Sequence, residues 1–350
     1  MEEYNKKTYI CDIFSDLITL KSNELKIKND SSLKWKIKSL KSTLNILSSL
    51  EDEVVDICKI KSIKGIGKGG ITRIEEIINT GKLDEIQKYK DTISSDQEEI
   101  TNQIKKLETI SGIGNVKANK LLKNGITFDI LMKERINCNV NNFKTNEYLK
   151  NITKHQFICL KYYEDILERI PRKEIEVFND ILSKIFSEID SNLLYEICGS
   201  FRRKNKDSGD IDILFCNKNC QMHEDLENSE KYLKLLLKKM KKMNIIVEDL
   251  TKSGDLKYMG ICKIPGYESN RRLDIKYVPY CCYIPGLLHF TGSYKENIRL
   301  RQIGKDKNYK INEYGIYKID GENEDLIILN TEKELYDILD EEYKIPEDRN

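Results

Sequence analysis

Apolar residues recur every three or four positions through the first ninety or so residues. "DIFSDLITL" and "SLKSTLNILSSLEDEVVDI" show the spacing of helices that bury one face. From Tyr195 onward the pattern changes to short runs rich in β-branched and aromatic residues. "YEICGS", "DIDILF", "RRLDIKYVPY" and "YKINEYGIYKI" predict strands. The lysine-rich "EKYLKLLLKKMKKM" predicts a helix between the first pair of strands and the next. The polar "DTISSDQEEITNQIKK" marks a boundary between helical units, and the Asn-rich "NCNVNNFKTNEYLKN" (Asn137 to Asn151) reads as an exposed insertion. A helical front half before an α+β back half predicts an α+β multidomain chain.

At 350 residues the chain is long enough for two or three domains. Lys+Arg 59 against Asp+Glu 58 leaves a formal charge of +1, so only local charge can point to a nucleic acid. The stretch holding Lys21, Lys26, Lys28, Lys34, Lys36, Lys38 and Lys41 is such a patch, although alone it reads as a solvated helix face. The ten cysteines lack CxxC pairs or a zinc-like grouping with histidine, and no signal peptide is evident. They read as reduced, mostly buried thiols of an intracellular protein, and adjacent Cys281 and Cys282 do not suit an ordinary disulfide. No apolar run is long enough to span a bilayer. Ile, Lys, Asn and Tyr abound while Ala is nearly absent, as expected of an AT-rich genome: a large DNA virus, a protist or an invertebrate. The compartment stays open between nucleus and, for a virus, cytoplasm or virion. "KKMKK" (Lys238 to Lys242) reads as a helix face before it reads as an import signal.

Two passages in the front half resemble one another: Ile63 to Ile78, "IKGIGKGGITRIEEII", and Ile110 to Leu122, "ISGIGNVKANKLL". Each carries hydrophobic-x-Gly-hydrophobic-Gly and then a helical pattern. Glycines permit a tight turn and close backbone approach, and the helix behind offers unpaired N–H groups to an anion. A single copy could be an ordinary turn between packed helices. Two copies with the same framing favour helix-hairpin-helix units that hold a nucleic-acid backbone without reading its bases.

The chemistry concentrates between Gly199 and Phe215, "GSFRRKNKDSGDIDILF". Ile211, Ile213, Leu214 and Phe215 predict a buried strand, on which Asp210 and Asp212 share a face. Two adjacent carboxylates repel, and a hard divalent cation relieves them. Asp274 in "RRLDIKYV" is the candidate third carboxylate; taken alone it could simply pair with Arg271 or Arg272. A Gly199–Ser200 turn before paired aspartates is similar to the nucleotidyltransferase signature. Ser200, Arg203 and the Gly209 N–H are then placed to meet phosphate oxygens.

Taken together, "GIGK…RIEEIINTGKL", "ISGIGNVKANKLL", "RIPR", "CGSFRR", "SGDID", "RRLDI", "HFTGS", "INEY" and "YKIPEDRN" resemble the beta-like polymerases of DNA polymerase family X. The resemblance covers nearly the whole chain, with modest insertions near residues 91–103 and 133–150. It implies a lyase-like DNA-binding domain over residues 1–91, a helical DNA-binding subdomain over 92–169, a nucleotidyltransferase palm over 170–280 with a mixed or antiparallel sheet, and a nucleotide-selecting α+β subdomain over 281–350. Asp210, Asp212 and Asp274 fall on the ligands of two magnesium ions. Arg169, Ser200, Arg203, Ser208 and Gly209 fall on triphosphate contacts, and His289, Phe290, Gly292 and Asn297 fall in the sugar and base pocket. Backbone carbonyls of Lys61, Ile63, Ile66, Glu108, Ile110 and Ile113 match sites for sodium or potassium in the hairpins. The implied DNA contacts are Lys36, Lys41, Gly65, Gly67, Gly112, Gly114, Arg272 and Arg301. The implied substrates are gapped duplex DNA with a 5′-phosphate and deoxynucleoside triphosphates. The chain is expected to be a monomer, with a DNA ligase or repair scaffold as partner.

Three departures stand out. Arg73 occupies the position of the family's Schiff-base lysine, and a guanidinium that stays protonated cannot form the imine. A lyase step would then need a neighbouring amine: Lys68 first, Lys64 next, with Lys36 further off. His289 replaces a tyrosine and Tyr294 an aspartate in the nucleotide pocket, and Ile298 replaces a lysine that stacks on the templating base. These changes bear on fidelity and sugar choice. The leading expectation is template-directed gap filling in base-excision repair. Its alternatives are template-independent nucleotide transfer and DNA binding without catalysis. No BRCT-like or phosphoesterase-like segment is evident at either end, which favours a minimal repair enzyme.

Overall fold

The computed structural model describes residues 4–28, 30–92, 95–222, 225, 231–251 and 256–349. The chain divides into two compact units, Met1–Asn151 and Ile152–Asn350.

The first unit is helical: α1 (Lys7–Lys28), α2 (Ser31–Ser48), α3 (Ile57–Ser62), α4 (Lys68–Thr80), α5 (Asp84–Thr92), α6 (Ser95–Glu108), α7 (Asn115–Lys123) and α8 (Phe128–Glu134). Ile10, Phe14 and Leu17 on α1 meet Ile37, Leu40 and Leu47 on α2 and Ile74 and Ile77 on α4. These are the three- and four-residue spacings of one buried face per helix. Asp30 and Asp56 start α2 and α3 as N-caps, each accepting a backbone N–H two residues on at 2.8 Å. The polar boundary expected between helical units runs through residues 93–94, which lie outside the described residues.

Asn137 to Asn151, expected as an exposed insertion, is instead pinned to the unit. It forms short 3-10 turns at Arg135–Asn137, Phe143–Thr145 and Leu149–Asn151, with Phe143 and Leu149 buried. Asn146 Oδ1 accepts the N–H groups of Tyr148 and Leu149, while its Nδ2 donates to Glu134. The asparagines therefore build Asx turns around two apolar anchors.

The second unit opens with α9 (Lys154–Lys161) and α10 (Tyr163–Leu167). There follow β1 (Ile170–Pro171), α11 (Arg172–Ile189), β2 (Leu193–Ile197), α12 (Gly199–Arg202), β3 (Asp207–Ser208), β4 (Ile211–Asn217), α13 (Lys231–Lys242), β5 (Ile246–Asp249), β6 (Lys257–Lys263) and β7 (Asn270–Tyr277). Strands order as β2-β4-β7-β6-β5 in a mixed sheet, in which only β4 and β7 run parallel. Ile211, Ile213 and Phe215 on β4, with Leu273, Ile275 and Tyr277 on β7, pack against α11 and α13. The alternate residues of these strands face the other way, where Leu214 and Cys216 meet α14 (Tyr283–Thr291). Period-two alternation thus sets the aspartates on the face opposite the main core. The chain ends in α15 (Tyr294–Asp306), the meander β8 (Tyr309–Asn312), β9 (Gly315–Asp320) and β10 (Asn323–Ile327), and α16 (Glu332–Ile338) around Leu288, Leu300, Ile316 and Tyr336.

Candidate active site

β4 and β7 pair in parallel register with Asp212 opposite Asp274, and Asp210 precedes β4 on the same side. Their carboxylates offer oxygens that all lie within 4.8 Å of one another. Burial pushes the Asp212 carboxyl up to about 8, reinforced by the charges of Asp210 and Asp274. Asp274 is also raised, chiefly by burial. Arg272, expected among the DNA contacts, donates from Nη2 to Asp210 Oδ2 at 2.7 Å and to Asp274 Oδ2 at 3.4 Å. One guanidinium does not satisfy the cluster. Asp274 Oδ1 and Arg272 Nε are buried without a hydrogen-bond partner among the described residues. An orphaned carboxylate oxygen beside two further carboxylates is the donor set that a hard divalent ion fits.

Glycines and polar side chains adjoin the triad. Gly199 has φ +59°, and a Cβ there would sit 2.6 Å from Asp212 Oδ2, so the turn before α12 requires glycine. The Ser200 hydroxyl lies 2.8 Å from that of Ser208. β1 and β3 pair as a short antiparallel ribbon with Ile170 opposite Ser208, and beside it Arg169 donates from Nε to Asp207 at 2.8 Å, while a Cβ on Gly209 would come within 3.0 Å of its Nη1. Arg203 donates to the Thr291 carbonyl at 2.6 Å, at the end of α14. A Cβ on Gly292 (φ +72°) would approach Arg203 Nη1 to 3.3 Å.

On α14 and α15, Asn297 Nδ2 donates to the His289 carbonyl at 2.8 Å, and Arg301 Nη2 lies 3.1 Å from His289 Nδ1. Burial, with Arg301 and Lys276 nearby, lowers the His289 pKa, while Glu313 opposes the shift. Phe290 meets the His289 ring edge-on and packs beside Leu214. Tyr294 and Ile298 are exposed on α15, one helical turn apart. The residues that "CGSFRR" and the chain end hid are a buried clasp. Arg202 makes two bonds to Glu332 at 2.9 and 2.8 Å and one to the Thr291 hydroxyl at 2.8 Å, and Arg349 adds a bond to Glu332 at 2.9 Å. The doubled arginine was the available signal; its partner lay too far along the chain to read.

In the first unit the two glycine passages fold alike. Gly65 and Gly112 take φ of +105° and +84°, and Gly67 and Gly114 are the N-caps of α4 and α7 with no side-chain cap. Each helix therefore presents uncapped N–H groups past an extended glycine. The Ile63 and Ile110 carbonyls accept the Ile66 and Ile113 N–H groups at 3.5 and 2.9 Å, in turns that follow Lys61 near the end of α3 and Glu108 at the end of α6. Lys64 and Lys68 are exposed, as are Trp35, Lys36 and Lys41 on α2. Arg73 donates twice to Glu85 Oε2, at 2.9 and 2.8 Å, and once to the Gly69 carbonyl at 2.9 Å.

Residues 169–280 match the DNA polymerase beta palm and residues 286–350 the DNA polymerase beta thumb. The chain belongs to DNA polymerase family X. It is 28% identical over 325 residues to DNA polymerase lambda of Arabidopsis thaliana, covering 87% of this chain and 56% of that protein. DNA polymerase lambda of Rattus norvegicus is 25% identical over 330 residues, covering 91% and 53%. DNA nucleotidylexotransferase of Xenopus laevis is 26% identical over 344 residues, covering 87% and 62%. The chain thus spans a little over half the length of these curated relatives. Family X members use divalent metal, and the Asp210, Asp212 and Asp274 triad is where this member could hold it. All ten cysteines are outside disulfides, and no helix among the described residues is long and apolar enough to cross a membrane.

Proposed function

We propose that the chain is a template-directed DNA polymerase that fills short gaps in base-excision repair. The observation that carries this reading is the pairing of Asp212 with Asp274 across parallel strands, beside Asp210 and the Ser200–Ser208 hydroxyl pair. Ser200, Ser208, the Gly209 N–H, Arg169 and Arg203 would hold the triphosphate by charge-assisted bonds. His289, Phe290, Gly292 and Asn297 would orient sugar and base, and Arg301 and Arg272 would meet DNA. Two magnesium ions bound by the triad would supply the positive charge that activates the primer hydroxyl and offsets charge on the phosphates. Asp274, with one oxygen lacking another partner, would face the primer 3′-hydroxyl as its proton leaves. A bond from the primer 3′-oxygen to the α-phosphorus would form as the bond from that phosphorus to the α–β bridging oxygen breaks, and pyrophosphate would depart.

The two hairpins, with sodium or potassium on their carbonyls, would grip the backbone on either side of a gap with a 5′-phosphate. The four-part division at residues 91, 169 and 280 belongs to this reading, as do a monomeric state and a ligase or scaffold partner. The likeness to a nucleotidylexotransferase supports a second reading, transfer without a template. Primer extension with magnesium, on gapped duplex and on single-stranded primer, separates the two. Incorporation that follows the templating base on gapped duplex supports polymerisation. Equal extension of the lone primer supports the alternative, and no extension by folded protein overturns both.

A further inference from the structure

Cys281 and Cys282 lie on the 3-10 turn Tyr280–Cys282 that joins β7 to α14. Both are reduced and buried, with their sulfur atoms 3.6 Å apart. A direct disulfide fits them poorly. Neighbouring Cα atoms stand about 3.8 Å apart across a trans peptide, short of the roughly 4.4 Å lower limit for ordinary bridges. A separation of 3.6 Å is instead close to what one soft atom spans with two bonds of about 2.3 Å to sulfur. Zinc would need further ligands, and among the described residues no third His, Cys, Asp or Glu offers a ligand atom within reach of the pair. The bridging atom must therefore bring its own third substituent.

There is room for one. Cys281 lines a cavity of about 300 Å³ walled largely by Leu194, Met222, Tyr283, Ile284 and Leu329, with Gln221 and Asn330 also on its wall. Met222 and Tyr280 on its rim are each 41% exposed, so the cavity can be entered from solvent. We propose that Cys281 and Cys282 form a dithiol site for trivalent organoarsenicals, with both sulfurs on one arsenic and its organic group in the adjoining, mostly apolar cavity. The reaction is a condensation. An arsenoso group and two thiols give a dithioarsenite and one water, the oxygen leaving with both thiol protons while arsenic stays trivalent. No oxidant or reductant takes part. The hydrogen bond with Cys281, followed by burial, raises the Cys282 pKa and keeps its proton on sulfur. Reagents that need a thiolate should thus prefer exposed Cys58.

Phenylarsine oxide is the probe, applied to the full chain after exposed thiols have been capped with iodoacetamide under native conditions. Intact-mass spectrometry should show a single phenylarsenic adduct, removed by dithiothreitol and resistant to the same concentration of mercaptoethanol. Cys281→Ser and Cys282→Ser should each weaken binding by about 10²-fold or more, because one sulfur loses the chelate. Met222→Trp, which fills the cavity without touching either sulfur, should weaken phenylarsine oxide and spare inorganic arsenite. An adduct that survives Cys281→Ser with Cys282→Ser in one chain overturns the proposal, as does equal affinity in the wild type and either single variant. If a serine variant does not fold, peptide mapping of the wild-type adduct decides: arsenic on the peptide holding Cys281 and Cys282 supports the site, and arsenic on any other peptide overturns it.

Discussion

Two arginine–carboxylate contacts in this chain use one chemistry to opposite ends. In the N-terminal unit, Arg73 gives two hydrogen bonds to Glu85 and a third to the Gly69 carbonyl. In the palm, Arg272 is shared between Asp210 and Asp274, leaving its own Nε and Asp274 Oδ1 buried without partners. The first is a closed clasp between α4 and α5. The second has an acceptor left over, which in a buried site marks a place for something else to bind. Crowding makes the difference: three carboxylates on two adjacent strands exceed what one guanidinium can neutralise. Arg73 has its hydrogen bonds met within its own unit, while the triad keeps its unmet demand.

Removing Asp274 is the largest test of that contrast. Asp274→Ala should lower nucleotide addition by orders of magnitude while leaving affinity for gapped DNA nearly unchanged, since the lost group acts mainly in the transition state. Single-turnover rates and binding isotherms measured side by side would show it. Near-normal turnover in magnesium would mean that the orphaned oxygen marks nothing functional.

Glu332 sharpens the comparison from the other side, because both oxygens of its buried carboxylate accept arginine bonds, although Arg349 Nη2 is left without a partner there among the described residues. Glu332→Ala strands Arg202 and Arg349, which should cost about 3–5 kcal/mol in chemical denaturation. A loss under about 1 kcal/mol would show that burial does not separate the two clasps. The pH dependence has a definite sign. Burial alone would raise the Glu332 carboxyl, but its bonds to Arg202 and Arg349 hold it below the ordinary value. Its contribution is therefore complete above the unfolded pKa of about 4.3 and lost as pH falls through the lower folded value. The stability gap between wild type and Glu332→Gln should narrow as acid is added below that range. A gap that widens would reverse the assignment.

A smaller effect is expected in the hairpins, where backbone rather than side-chain demand builds the site. Alanine at Gly65 or Gly112 would be forced into left-handed backbone at about 1–2 kcal/mol each, and at Gly65 its Cβ would also meet Ile46 Cδ1 at 2.9 Å. Binding to gapped duplex should weaken by about tenfold per 1.4 kcal/mol of distortion that reaches the interface. Wild-type affinity should favour a gap with a 5′-phosphate over intact duplex and fall steeply with salt. Equal affinity for both duplexes at one salt concentration would remove the hairpins from gap recognition.

The same contrast explains what could be read along the chain. Asp210 and Asp212 were legible because a period-two strand forces alternate residues to one face, and the hairpins because their glycines dictate backbone shape locally. Asp274 was legible as a candidate only, since its pairing with Asp212 depends on two distant strands choosing one register. Arg272 was legible only as an alternative partner of Asp274, while its bond to Asp210, Glu85 as the partner of Arg73, and Glu332 between Arg202 and Arg349 were not legible. Each depends on where helices and strands pack, and any of many carboxylates could have met those guanidiniums. Phe143 and Leu149 escaped notice for a related reason: two isolated apolar residues among asparagines have no periodicity to announce an anchor.

The smallest structural effect belongs to Arg73 itself, and it carries the most chemistry. The Arg73–Glu85 pair is about a third exposed, at 28% and 33%, so Arg73→Ala should cost no more than about 1 kcal/mol after solvent screening. Borohydride trapping of the wild type on an abasic-site 5′-deoxyribose phosphate should be weak or absent, because a guanidinium bound to a carboxylate supplies no neutral amine. Any residual trapping must come from a neighbouring lysine. Lys68 begins α4, one turn before Arg73, and is the first candidate; Lys64 in the preceding turn is the next. Arg73→Lys is the sharper variant. It keeps a positive charge opposite Glu85 while offering an amine where the guanidinium stood, so trapping should rise above that of the wild type. If trapping is already efficient and survives simultaneous alanine substitution of Lys36, Lys64 and Lys68, the nucleophile lies elsewhere and Arg73 marks no loss. If trapping stays absent even with Arg73→Lys, an amine at this position does not reach the sugar, and the role left to propose for this unit is to hold the downstream 5′-phosphate.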